Sequence, residues 1–233
     1  MTTELATRLT PQTFQRYLAA QLRADLDKKL VILTGPRQVG KTTLSRQLQA
    51  DCLGAQYFNY DVPAQRAVLN AQGWSDQAPL LIFDEIHKMA GWKSWLKGAF
   101  DGRATLADGD AQRLLAMGSA RMDTSNVAVQ AGESLAGRYY ALRLHPISVF
   151  EWCVQTGASP EAGLAHLLKR GGFPEPCLAP QDAAGDLQAE RWRTDYFSGM
   201  IREDVLEFSR IFEINTMRVF AEALRSRDRK SVV

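Results

Sequence analysis

Leu30-Val31-Ile32-Leu33-Thr34-Gly35-Pro36-Arg37-Gln38-Val39-Gly40-Lys41-Thr42-Thr43 is the stretch on which the reading of this 233-residue chain turns. Leu30 to Leu33 form an apolar run of buried-strand length, and a helical pattern through Leu44 and Leu48 follows. Between them, Gly35 to Thr42 satisfies the pattern Gly-x-x-x-x-Gly-Lys-Thr. Gly35 and Gly40 allow backbone angles and a close approach that a side chain would forbid. Backbone N–H groups of such a loop curl around an anion, and the helix that starts near Lys41 points its positive end at the same place. Lys41 supplies a mobile ammonium for β- and γ-phosphates, and Thr42 offers a hydroxyl to Mg²⁺. Four constrained positions arise by chance in such a chain on the order of once in a hundred. Gly35, Pro36, Arg37, Gln38, Val39, Gly40, Lys41, Thr42 and Thr43 therefore form a candidate phosphate-binding loop, with ATP as the expected ligand.

Working outward, a second apolar run, Leu80-Leu81-Ile82-Phe83, delivers Asp84 and Glu85 to the carboxyl end of a strand, where ligands of open α/β sheets bind. Asp84 suits Mg²⁺, directly or through water. Glu85 is placed to act as general base toward an attacking water. Taken alone, adjacent acids at a strand end suit the cap of a following helix equally well. An Asn-Lys-x-Asp segment, which guanine readout would use, is not found in the sequence. Gln56 to Tyr60, Leu114 to Met117 and Arg138 to Leu144 read as further strands, and Ala64 to Ala71 and Trp92 to Phe100 as helices. Thr10-Pro11 reads as a helix start carrying Phe14, Leu18 and Leu22 on one stripe. Strands alternating with helices predict an α/β fold, a parallel sheet flanked by helices.

His145-Pro146-Ile147 and Gly171-Gly172-Phe173-Pro174 punctuate the chain, and from Asp182 the pattern is helical. We place a domain boundary near residue 146, with a P-loop core over 1–146 and a helical lid or linker over 147–233. Phe197, Ile201, Val205 and Phe208 share one helical face, and residues 225–231 read as a solvated basic tail. A formal net charge of +2 is too small to predict nucleic-acid or membrane binding by bulk electrostatics. Cys52, Cys153 and Cys177 are scattered and form neither a zinc pattern nor a disulfide framework. Residues 1–27 lack a signal-like apolar core, and no apolar run approaches the roughly 20 residues a bilayer requires. A cytoplasmic protein without membrane contact is expected. His145 and His166 lack metal-ligand company, His87 reads as the start of a surface helix, and Trp92 and Trp95 read as core.

These motifs, with Phe83-Asp84-Glu85-Ile86-His87-Lys88, Met117-Gly118-Ser119-Ala120, Glu133-Ser134-Leu135-Ala136-Gly137-Arg138 and Gly171-Gly172-Phe173-Pro174-Glu175, resemble those of prokaryotic AAA-superfamily P-loop ATPases with a C-terminal domain of poorly defined role. The resemblance implies an AAA-type sheet followed by a helical lid. By position it implies that Ser119 is the sensor orienting the attacking water, and that Arg138 is an arginine finger for a neighbouring subunit, hence a homo-oligomer. It also implies that Gly172-x-Pro174 sets the lid against the nucleotide. Without it, Ser119 suits a turn, Arg138 a solvated strand start and Gly172-x-Pro174 an ordinary loop. Relatives continue past the position of Val233, so a truncated chain is expected. Three activities are consistent with these residues: Mg²⁺-dependent ATP hydrolysis, a nucleotide-gated module binding a protein or DNA partner with little turnover, and phosphoryl transfer to a small molecule. The first accounts for Glu85.

Overall fold

The computed structural model describes residues 9–107, 109–118, 135–199 and 223. Five parallel strands, β1 (Leu30–Thr34), β2 (Gln56–Asn59), β3 (Leu80–Asp84), β4 (Arg113–Met117) and β5 (Tyr139–Arg143), form one sheet in the order β2-β3-β4-β1-β5. Val31 lies opposite Leu115 and Tyr140, and Ile82 opposite Tyr57 and Leu115. All five residues of β1 and of β3 are buried. Each fully buried aliphatic side chain contributes roughly 1.5–3 kcal/mol, more than strand propensity does, so burial places these two strands in the interior.

The alternation along each strand sorts the core into two layers. Val31, Leu33, Leu80, Ile82, Leu115 and Met117 pack against α1 (Leu18–Leu26) and α2 (Lys41–Ala50). Leu30, Ile32, Leu81, Phe83, Leu114 and Ala116 face the side of α3 (Pro63–Ala71) and α4 (Trp92–Asp101). Trp74 and Trp95 meet Phe83 in that second layer at centroid distances of 5.4 and 5.1 Å, so Trp95 is core as expected, and Trp92 packs on the same cluster. This is the expected α/β sheet covered on both faces.

Two local readings change. Thr10 does start a turn, with Phe14 N donating to its carbonyl at 2.9 Å, but the turn is not continued and α1 begins at Leu18. Phe14 accordingly leaves the stripe of Leu18 and Leu22 and packs with Ile147, Trp152 and Cys177 in a third cluster. The backbone breaks there because Tyr17 N donates to the Glu151 carboxylate at 3.0 Å instead of closing a helical turn. The second change concerns organisation. Residues to Leu178 form one compact unit and Ala179 onward another, so α5 (Val149–Thr156), α6 (Pro160–Arg170) and α7 (Pro174–Cys177) group with the sheet, and position 146 lies inside the first unit. In the second unit, α8 spans Ala183–Gly199; Ile201, Val205 and Phe208 lie outside the described residues.

Candidate functional site

The phosphate loop is built by its backbone. Gly35 has φ 151°, and a Cβ there would sit 2.5 Å from the Leu144 carbonyl oxygen, so this position tolerates no side chain. Gln38 and Gly40 are left-handed at φ 61° and 99°, conformations that bend the loop ahead of α2 in the way anion-binding turns do. Lys41, the first residue of α2, is buried and its Nζ donates to the carbonyls of Gly35 and Pro36 at 2.9 and 2.8 Å. The ammonium therefore folds back over the loop, within reach of whatever the loop cradles.

An open cleft of about 480 Å³ lies over this loop. It is lined by Arg37, Gln38, Gly40, Lys41, Thr42 and Thr43 of the loop together with Asp61, Glu85, Lys88, Pro174 and Glu175. Pro174 lies close above Gly40, its Cγ 3.5 Å from where a Cβ would be. The Gly172-x-Pro174 turn is held by Ile147 N donating to the Gly172 carbonyl at 2.6 Å, and it brings the helical segment onto the loop. Behind Gly40 a smaller apolar crevice is lined by Pro11, Phe14, Ile147, Pro174 and Leu178.

Asp84 lies beneath Thr42, 3% exposed. Its Oδ2 accepts from Thr42 Oγ1 at 3.0 Å and from the Tyr57 hydroxyl, and its Oδ1 accepts from Glu85 N at 3.0 Å. Burial, reinforced by the carboxylate of Asp84, raises the Tyr57 phenol far above its ordinary pKa, so it stays a donor at every physiological pH. The Arg46 guanidinium covers the Tyr57 ring, 3.4 Å from its centroid. The adjoining Thr42 and Asp84 oxygens, one hydroxyl and one carboxylate, are hard donors of the kind Mg²⁺ takes. Among the described residues there is no cluster of three or more His, Cys, Asp or Glu that would form an all-protein metal cage. The donor set therefore fits a cation that arrives with phosphate.

Glu85 has a left-handed backbone, φ 56°, uncommon for a residue with a side chain. It turns the carboxylate onto the cleft wall, with Oε2 3.5 Å from Lys88 Nζ and 3.7 Å from His87 Nε2. His87 does not begin a surface helix: it sits in a 3₁₀ turn, Ile86–Lys88, with a side chain 9% exposed.

A model of the AAA domain matches residues 27–153, which takes in the loop, β1 to β5 and the start of α5. The chain belongs to the AAA domain family. It is a P-loop NTPase domain of the AAA type, whose members bind nucleotide. Two relatives, uncharacterized proteins of Mycobacterium tuberculosis and Mycobacterium bovis, are each 29% identical over 206 residues, covering 88% of this chain and 42% of the relative. This chain thus spans less than half the length of those relatives. Among solved structures, the Walker-type ATPase of Pyrococcus abyssi superposes with a TM-score of 0.55 at 14% identity, covering 89% of this chain and 79% of that one, a likeness of fold.

Arg138 falls elsewhere. It precedes β5 at the amino edge of the sheet, with its carbonyl accepting from Leu30 N at 3.2 Å. β1 separates it from the loop by roughly 15 Å at about 3.3 Å per residue. There its Nε donates to Asp101 Oδ1 at 2.8 Å, and the two shift each other's pKa in opposite directions, the arginine up and the aspartate down. Ser119 lies outside the described residues. His166 stacks on Trp152 at 3.8 Å and shares a hydrogen bond with the Cys177 carbonyl, a packing role. None of the three cysteines is in a disulfide. No helix among the described residues is long and apolar enough to cross a membrane. Sequence reasoning passed over Tyr57, Arg16 and Glu151. The last left a signal, since Ser148-Val149-Phe150-Glu151 has capping-box spacing and forms one in the structure.

Proposed function

We propose that this chain binds Mg²⁺–ATP over residues 35–43 and hydrolyses its terminal phosphoanhydride. The observation that supports this most directly is the meeting of Thr42 and Asp84 at 3.0 Å beside a cleft that Lys41 and Glu85 both line. Lys41 exchanges the Gly35 and Pro36 carbonyls for phosphate oxygens, which bear full negative charge and hold an ammonium more strongly. Thr42 and Asp84 would hold the cation, which would supply positive charge against the phosphates. Glu85 accepts the proton of the attacking water as its oxygen bonds to the γ-phosphorus and the bridging oxygen leaves with ADP. Ser119 is assigned to orienting that water, and Arg138 to reaching a neighbouring copy's γ-phosphate on self-association in the cytoplasm.

The deciding experiment measures ATP binding and turnover for wild type and Glu85→Gln. Retained affinity with turnover at least about 100-fold lower supports hydrolysis through Glu85. Equal turnover removes Glu85 from the mechanism. A second reading is favoured by the contacts of Glu85 with Lys88 and His87 and the ion pair of Arg138 with Asp101, which occupy two of the three catalytic candidates. On that reading the protein is a nucleotide-gated module for a protein or DNA partner, and wild type shows tight ATP binding with turnover no greater than Glu85→Gln.

A further inference from the structure

Arg16 is an unusual residue to find buried, at 7% exposure, in a segment that otherwise turns and breaks before α1. Its guanidinium can donate in several directions at once from a rigid fork. Nε donates to Glu151 Oε1 at 2.9 Å, one terminal nitrogen to the Val39 carbonyl at 3.0 Å, and the other to the His145 carbonyl. Glu151 is itself held, accepting from Tyr17 N at 3.0 Å and Ser148 N at 3.1 Å, with a side chain 1% exposed. One side chain thus ties the N-terminal segment to the phosphate loop, the end of β5 and α5.

The contact that matters most is with Val39. A trans peptide is planar, and the C=O of residue 39 and the N–H of residue 40 point in opposite directions. No described peptide bond is cis, the one between Val39 and Gly40 included. A donor that holds the Val39 oxygen on its own side therefore turns the Gly40 N–H to the side of the peptide away from Arg16, and Gly40 is one of the residues that line the cleft. Gly40, at φ 99°, lacks the side chain that would otherwise restrain this peptide. Two apolar side chains would fill the same space without desolvating two charges, but they would leave the Val39 and His145 carbonyls without this donor.

We propose that Arg16 is a positioning residue for the phosphate loop. Held by Glu151, it fixes the 39–40 peptide so that the Gly40 N–H is presented to phosphate before nucleotide arrives. The consequence for affinity rests on the reading of the cleft as an ATP site; the effect on the loop does not.

The test therefore has two arms on the full chain. Arg16→Met with Glu151→Met removes both charges together and strands neither, and Arg16→Lys keeps a charge opposite Glu151 but loses the fork. Hydrogen exchange without nucleotide should quicken about tenfold or more in residues 35–43 while β3 is unchanged, for either variant that folds. ATP dissociation constants should rise about tenfold to hundredfold, the loss expected for a charged hydrogen bond. Unchanged loop exchange in both variants overturns the proposal, as does equal acceleration in β3, which would make the pair a general prop. Faster loop exchange with unaltered ATP affinity overturns it too. If wild type binds no ATP but the loop still loosens selectively, the ATP reading falls and the positioning of the loop by Arg16 stands.

Discussion

The two edges of the parallel sheet treat charge in opposite ways. At the carboxyl edge, Lys41 and Asp84 are buried and tied to named donors and acceptors, close to Thr42 and Glu85. At the amino edge, Arg138 and Asp101 pair at 2.8 Å with side chains 34% and 45% exposed, and Arg113 and Asp27 pair at 3.3 Å with 38% and 64%. The helix directions explain part of this. α2 begins at the carboxyl edge and presents free N–H groups to anions, whereas α4 ends at Asp101 and its carbonyl end favours a nearby cation. Buried, interlocked charges make a site that is formed in advance. Solvated pairs can be exchanged for a partner with little loss, which the proposed role of Arg138 between copies requires.

The comparison can be broken most severely at Asp84. Asp84→Asn removes the charge shared by Thr42 and Tyr57, and Mg²⁺-dependent ATP binding should weaken by about 100-fold, read by titration with and without Mg²⁺. Next comes Gly40→Ala. Placing a side chain at φ 99° next to Pro174 and Arg16 should cost about 1–2 kcal/mol in urea unfolding and more in ATP affinity. Arg138→Ala sharpens the contrast from the other edge. The melting temperature and the turnover of dilute protein should stay as they are, while any rise of specific turnover with protein concentration disappears. A loss of turnover in dilute protein would show that Arg138 acts within its own chain, against its position across the sheet. The smallest effect tests burial as such. Burial pushes the Cys177 thiol up to about 12, so its thiolate forms only well above neutral pH. Alkylation of the folded protein at pH 8 should label Cys52 and Cys153 and spare Cys177, as read by mass spectrometry.

The loop and the acidic strand end were legible because their information is local. Gly35-x-x-x-x-Gly40-Lys41-Thr42 encodes its own backbone path, and apolar runs of four residues mark β1 and β3 whatever surrounds them. Periodicity misled at Phe14. Its spacing from Leu18 suits one helix, but Glu151, far along the chain, accepts the Tyr17 N–H and the helix begins later. His87 was misplaced for a similar reason, since nothing adjacent in sequence reveals that the turn after β3 folds inward.

What the sequence determined by itself is a phosphate loop followed by an acidic strand end in an α/β order, because each rests on residues within a dozen positions of one another. Tertiary structure alone decided which charges meet. Tyr57 and Thr42 converge on Asp84 because β2 pairs with β3 and α2 packs over them. Arg16 reaches Val39 and Glu151 across 23 and 135 positions because α5 groups with the sheet. Such contacts follow from packing of whole layers, and a buried charge takes whichever partner the packing brings within hydrogen-bonding distance.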